Sequence, residues 1–266
     1  MAMQKIVGLI LILCLASVSA RTINFHELID YFIHGATVGY QVTVDKCDTN
    51  LPTQMPLSSF GDVIDNARVY YAGESDWWIH FSTRRFVNGS SHNIRGPVSR
   101  LTEVFFTNSG EGDFNIADYD GESGILIDSG NINCKAERGG IHVTSLTSKG
   151  GEIIDLHLVK TSLELGYNVH YHVNILQCGP HPQRFTGTVG WAGRISGHRL
   201  NLDGNIEFTQ TVELPTATFV MDVTVHRNND VTVYVDSLVP DSRKSTGVLR
   251  KECVLGTDGS FHVFRN

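Results

Sequence analysis

The chain lacks a basic excess: 21 Lys and Arg stand against 28 Asp and Glu, a formal charge of −7. The phosphate-neutralising footprint of a nucleic-acid reader, or of a protein held on anionic lipid, is therefore missing. Charge of either sign is sparse, 18% of residues against 41% hydrophobic, and only 7 of 266 residues are proline, which excludes a disordered chain. No CxxC pair occurs, so zinc ribbons and thioredoxin-type sites lose their usual spacing. GxSxG, HExxH, GxxxxGK[ST] and a strand-following GxGxxG are also missing, although a dispersed Ser-His-Asp set leaves no linear signature. Beyond the first twenty residues no apolar run approaches spanning length, and the C-terminal segment has no lipid-anchor tail.

The apolar run that is present, Ile6 to Leu15, follows Lys5 and precedes the small residues Val18-Ser19-Ala20. That pattern reads as a secretory signal over residues 1–20, which makes the expected product secreted, without a membrane anchor and with a charge near −8 once Lys5 is lost. Loss of Cys14 with the signal leaves Cys47, Cys134, Cys178 and Cys253, an even set that an oxidising compartment turns into two disulfides, with three pairings open. Asn88-Gly89-Ser90 is an acceptor sequence for glycosylation at Asn88.

Shifted by 131 positions, residues 25–73 align with 156–204 without a gap. Identical pairs include His26/His157, Gly35/Gly166, Tyr40/Tyr171, Cys47/Cys178 and Arg68/Arg199. The chain is thus expected to hold two tandem repeats, 21–150 and 151–266, with 144–152 as the linker. Each repeat owns two cysteines, which selects Cys47 with Cys134 and Cys178 with Cys253. Closing loops of that length removes roughly 4–5 kcal/mol of unfolded-chain entropy.

Each copy opens on a helix signal. Asn24 and Glu27 have capping-box spacing, Phe25, Leu28, Ile29 and Phe32 share a face, and Gly35 is the stop; Asp155, Leu156, Val159, Leu163 and Gly166 repeat that logic. After each glycine the period falls to two, in Val38, Tyr40, Val42 and in Val169, Tyr171, Val173, and later runs also alternate as strands. The expected class is α+β: in each repeat, an N-terminal helix packed on an antiparallel sheet with one disulfide.

Helix, glycine, Val-x-Tyr-x-Val strand and cysteine, followed distally by Gly-Val-Leu-Arg-Lys-Glu-Cys253 and Gly-Ser-Phe-His-Val263, resemble the VirK family of small exported proteins. The resemblance spans nearly all of the chain after residue 20 as two copies. It implies a compartment and a module, and carries no catalytic signature.

Candidate site residues follow from side-chain chemistry. His170 and His172 sit two apart on a strand and face one way, so with His181 or Glu164 they form a candidate transition-metal set, or else two polar residues on a solvent face. Asp118-Tyr-Asp-Gly-Glu122, with Asp113 and Asp128 nearby, is a candidate calcium cluster or a solvated acidic loop. His26 and His157 are expected to share a structural hydrogen bond. Trp77 and Trp78 must face opposite sides of a strand, leaving one for ligand contact, and Arg84-Arg85 or Arg194 with Arg199 could hold an anion. Together these point to a secreted, non-enzymatic binding, matrix or host-interaction protein without a cofactor. Its ligand is an extracellular glycan or small apolar molecule, taken through Trp77, Trp78 and Arg199 or between the copies. The alternative is a secreted metal-assisted hydrolase or small-molecule oxidase using the second-copy histidines, with a transition metal or calcium.

Overall fold

The computed structural model describes residues 20–266 apart from 54, 56, 72–75, 89–95, 180–187, 215–216, 240–241, 243 and 257–259. Residues 1–19, all but the last of the expected 1–20 signal, lie outside the described residues, as do His181 and most of the Asn88 acceptor sequence.

Local chemistry sets the two helices. Glu27 N donates to Asn24 Oδ1 at 2.9 Å and Asn24 N to Glu27 Oε2 at 3.2 Å, completing a capping box before α1 (Phe25–Ile33). His157 N donates to Asp155 Oδ1 at 2.6 Å before α2 (Leu156–Glu164). Gly35 and Gly166, both at φ +77°, end the helices in the left-handed conformation.

The first copy continues through β1 (Arg21–Ile23), β2 (Val38–Thr43), β3 (Asp48–Asn50), β4 (Ser59–Ile64), β5 (Asn66–Tyr71), β6 (Trp77–Asn88), β7 (Pro97–Thr107), β8 (Glu111–Asp120), β9 (Leu126–Lys135) and β10 (Ile141–Ser145). In the second copy come β11 (Gly151–Ile153), β12 (Val169–Asn174), β13 (Thr188–Arg194), β14 (His198–Leu200), β15 (Ile206–Glu213), β16 (Thr218–Val225), β17 (Asp230–Leu238), β18 (Ser245–Val254) and β19 (Phe261–Arg265). Only 146–150 remain between β10 and β11, so the linker is shorter than the sequence pattern suggests.

The α+β expectation is corrected by this inventory: strands make up 60% of the described residues, which are mostly β and form three sheets. The helix signals are real but short, whereas the long alternating stretches of each copy all become strands of an antiparallel meander, β6 to β9 and β15 to β18. One sheet runs β1-β10-β2-β4 and another β14-β15-β16-β17-β18. Between them, β11-β19-β12-β13-β5-β6-β7-β8-β9-β3 form a ten-stranded sheet drawn from both copies. In the first copy the chain leaves one sheet for the next at Asp65, between β4 and β5.

Two hydrophobic cores result. The first gathers Phe25, Leu28, Phe32, Tyr40, Phe81, Phe106 and Phe114, and the second Tyr171, Trp191, Phe208, Val223, Val233 and Phe261. Tyr40 is ringed by Phe81, Phe106 and Phe114 at centroid distances of 5.5–6.1 Å, and burial raises its hydroxyl pKa. Cys47–Cys134 and Cys178–Cys253 are bonded, with sequence separations of 87 and 75. No helix among the described residues is long and apolar enough to cross a membrane.

Candidate functional site

The copies meet where β13 pairs antiparallel with β5, Thr188 opposite Tyr71 through Gly193 opposite Asn66. Arg194 N extends the seam to Asp65 O at 2.9 Å. This approach requires glycine at 193, because a Cβ there would lie 2.6 Å from Asp65 O and 2.1 Å from Asn66 Oδ1. Pairing satisfies strand edges that would otherwise present unpaired backbone groups. Side chains alternate across the seam. Ala67, Val69 and Ala192 enter the first core, while Trp191 enters the second and its cross-strand partner Arg68 turns the same way.

Arg68 is the unusual residue of this face. Its guanidinium lies 4.0 Å from the Phe219 ring centroid, 4.9 Å from Tyr70 and 5.6 Å from Trp191. Nε is sealed from solvent without a hydrogen-bond partner, and no carboxylate among the described residues pairs with the group. Burial lowers its pKa, and the same burial raises that of Tyr70, which stacks on Trp78 at 5.1 Å. The guanidinium borders a cleft of about 390 Å³ walled by Ile175, Trp191, Phe219, Val235, Val248 and Leu249, with Ser237 and Thr246 at its polar side.

One strand further along the same face, His80 opposes Arg68 across β5 and β6. His80 Nε2 donates to Glu103 Oε1 at 2.9 Å, Asn115 Nδ2 donates to Glu103 Oε2 at 2.9 Å, and the imidazole stacks on Phe105 at 3.7 Å. Burial lowers the His80 pKa despite the carboxylate, and the hydrogen bonds from His80 and Asn115 lower that of Glu103, so a neutral imidazole donates to an ionised carboxylate. Beyond it a wider cleft of about 670 Å³ separates β6–β8 of the first copy from β15–β17 of the second. Arg84 spans its wall, donating from Nε to Glu213 Oε2 at 2.8 Å and from Nη1 to Ser99 Oγ at 2.9 Å.

On the opposite face of the seam lie His170 and His172. They are not on a solvent face: they are 5% and 8% exposed, and their Nε2 atoms are buried without partners. The first copy covers them. A Cβ on Gly35 would meet Phe264 Cβ at 2.6 Å and His170 Cβ at 3.3 Å, and one on Gly190 would meet His172 Nε2 at 3.4 Å and Tyr71 Cε2 at 3.6 Å. Burial holds His170 down to about 4, with Arg194 adding to the shift, and His172 down to about 3, with His262 and His34 adding to it. His262 is tied to Glu152 at 2.8 Å, and no three metal-ligating groups converge among the described residues. Glu164 sits at the end of α2 beside Lys160.

The remaining candidates are dispersed. Trp77 is buried in the first core and Trp78 is half-buried on the Arg68 face. Arg199 is exposed and donates to Glu207 at 2.5 Å. Arg85 forks onto Asp62 at 2.5 and 2.7 Å. Arg100 takes Asp118 bidentately at 2.7 Å, while Asp120 accepts from Ser123 and Glu122 within its own turn, so the acidic segment is occupied by its neighbours. Asp113 accepts from Asn133. His26 and His157 are exposed, and no hydrogen bond of either ring is seen among the described residues. Sequence reading named Arg199 and passed over Arg68 and the His80–Glu103 pair. The repeat alignment equates Arg68 with Arg199, but nothing local says which of the two faces the other copy.

No protein-family model matches the chain, and no curated protein matches it. Among solved structures it is similar to a VirK family protein from Legionella pneumophila, at 20% identity and a TM-score of 0.35, over 45% of this chain and 94% of that one.

Proposed function

We propose that this chain is a secreted binding protein, non-enzymatic, with its ligand site at the junction of the two copies. The observation that carries this reading is the composite sheet: joining β5 to β13 opens clefts of about 390 and 670 Å³ whose walls come from both copies. Ligand sites favour such boundaries between modules. Two disulfides and a signal-like opening segment support an exported, oxidised product. The apolar walls around Trp191 and Phe219 suit a small molecule with an apolar body.

The test is native mass spectrometry of protein purified from a secretory host, with elemental analysis of wild type and His172→Ala. A retained small organic molecule supports the proposal. One equivalent of zinc, copper or iron that His172→Ala loses overturns it in favour of metal-assisted chemistry.

A further inference from the structure

Resting on the binding-protein reading, we infer that the Arg68 cleft takes a small amphipathic carboxylate, its charged end on the guanidinium and its apolar body along Trp191, Phe219, Val235 and Leu249. Four observations converge on that class. Arg68 is a permanent cation in a half-buried position, and no carboxylate among the described residues neutralises it. Buried charges are ordinarily paired, so an unpaired one facing a cleft is a site waiting for an opposite charge. The aromatic rings of Phe219, Tyr70 and Trp191 around the guanidinium hold it by cation–π contact without consuming its charge, and leave N–H groups to fork onto a carboxylate. The remaining walls are aliphatic apart from uncharged Ser237, Thr246 and Gly247, with no second cation among the described lining residues, which favours a single negative charge over a phosphate dianion. Finally, the same position in the second copy, Arg199, is exposed and paired with Glu207, so the unpaired state belongs to the junction rather than to the module.

The experiment titrates the full chain at pH 7.4 with octanoate, 1-octanol and acetate, read by calorimetry and by intrinsic tryptophan fluorescence, in wild type, Arg68→Met and Arg68→Lys. Octanoate is expected to saturate one site at least tenfold more tightly than octanol, with acetate silent. Arg68→Met should bind both eight-carbon probes equally while melting no lower than wild type, and Arg68→Lys should keep part of the preference. Equal binding of octanoate and octanol by wild type, or octanoate binding unchanged in a folded Arg68→Met, overturns the carboxylate assignment and leaves the binding-protein reading standing. No binding of any probe, with no molecule retained on purification, overturns both.

Discussion

The 131-residue shift aligns Arg68 with Arg199, yet one is half-buried among three aromatic rings without a counter-charge among the described residues and the other lies in solvent against Glu207. The same divergence runs through the module. Gly39 and Gln41 of the first copy become the buried His170 and His172 of the second, and Gly35 is pressed by Phe264 where Gly166 meets nothing within 4 Å. What a residue does here is decided by whether the other copy covers it, and the covering is heterologous: β5 meets β13, while among the described residues β4 and β14 pair on one side only.

The largest effects should be those the copies share. Replacing both cysteines of Cys47–Cys134 or of Cys178–Cys253 by alanine should cost about 4–5 kcal/mol in either case by loop closure. Chemical denaturation checks whether the two losses match. A loss confined to one pair would show that the copies do not contribute alike.

Acid should then separate them. His170 and His172 are neutral when folded, titrating at about 4 and about 3 beside Arg194, His262 and His34, and titrate near 6.5 when unfolded. The unfolded chain therefore binds more protons below about pH 6.5. The stability tied to the neutral rings is complete above that pH and is lost as the pH falls towards 3, by about 2 kcal/mol per ring at pH 5. A His170→Gly, His172→Gln variant, which restores the first-copy residues, should show a flatter melting temperature between pH 7 and 5. An unchanged slope would place the titrating groups elsewhere.

Glycine substitution is a finer probe. Gly166→Ala pays only for a left-handed backbone, about 1 kcal/mol, whereas Gly35→Ala adds a Cβ at 2.6 Å from Phe264 and should lose on the order of 3 kcal/mol. Equal losses in thermal melts would mean that the first helix does not press on the second copy. The smallest change is expected at Arg199→Ala, under about 1 kcal/mol for an exposed ion pair.

Much of the local structure was legible from the chain. Asn24, Glu27 and Asp155 cap helices by bonds to their near neighbours, and Val-x-Tyr-x-Val exposes a two-residue period, so these elements need no knowledge of the rest. The shift of 131 also put one cysteine pair within each copy. The fold class was misread because the helices are conspicuous at the start of each copy while the meanders, which carry most residues, advertise themselves weakly. The β5–β13 seam had no signature, since strand pairing is a long-range choice among similar edges. Period two placed His170 and His172 on one face correctly but could not say that the first copy would close over it. For the same reason Arg68 stayed hidden behind Arg199.

Hydrogen exchange along the junction tests the central claim most directly. If the two copies share one sheet, the backbone amides of β5 and β13 that face the seam exchange as slowly as those of β7, and far more slowly than the outward amides of β4 and β14. Exchange in β5 and β13 as fast as at those free edges would contradict the composite sheet, and with it the cleft built around Arg68.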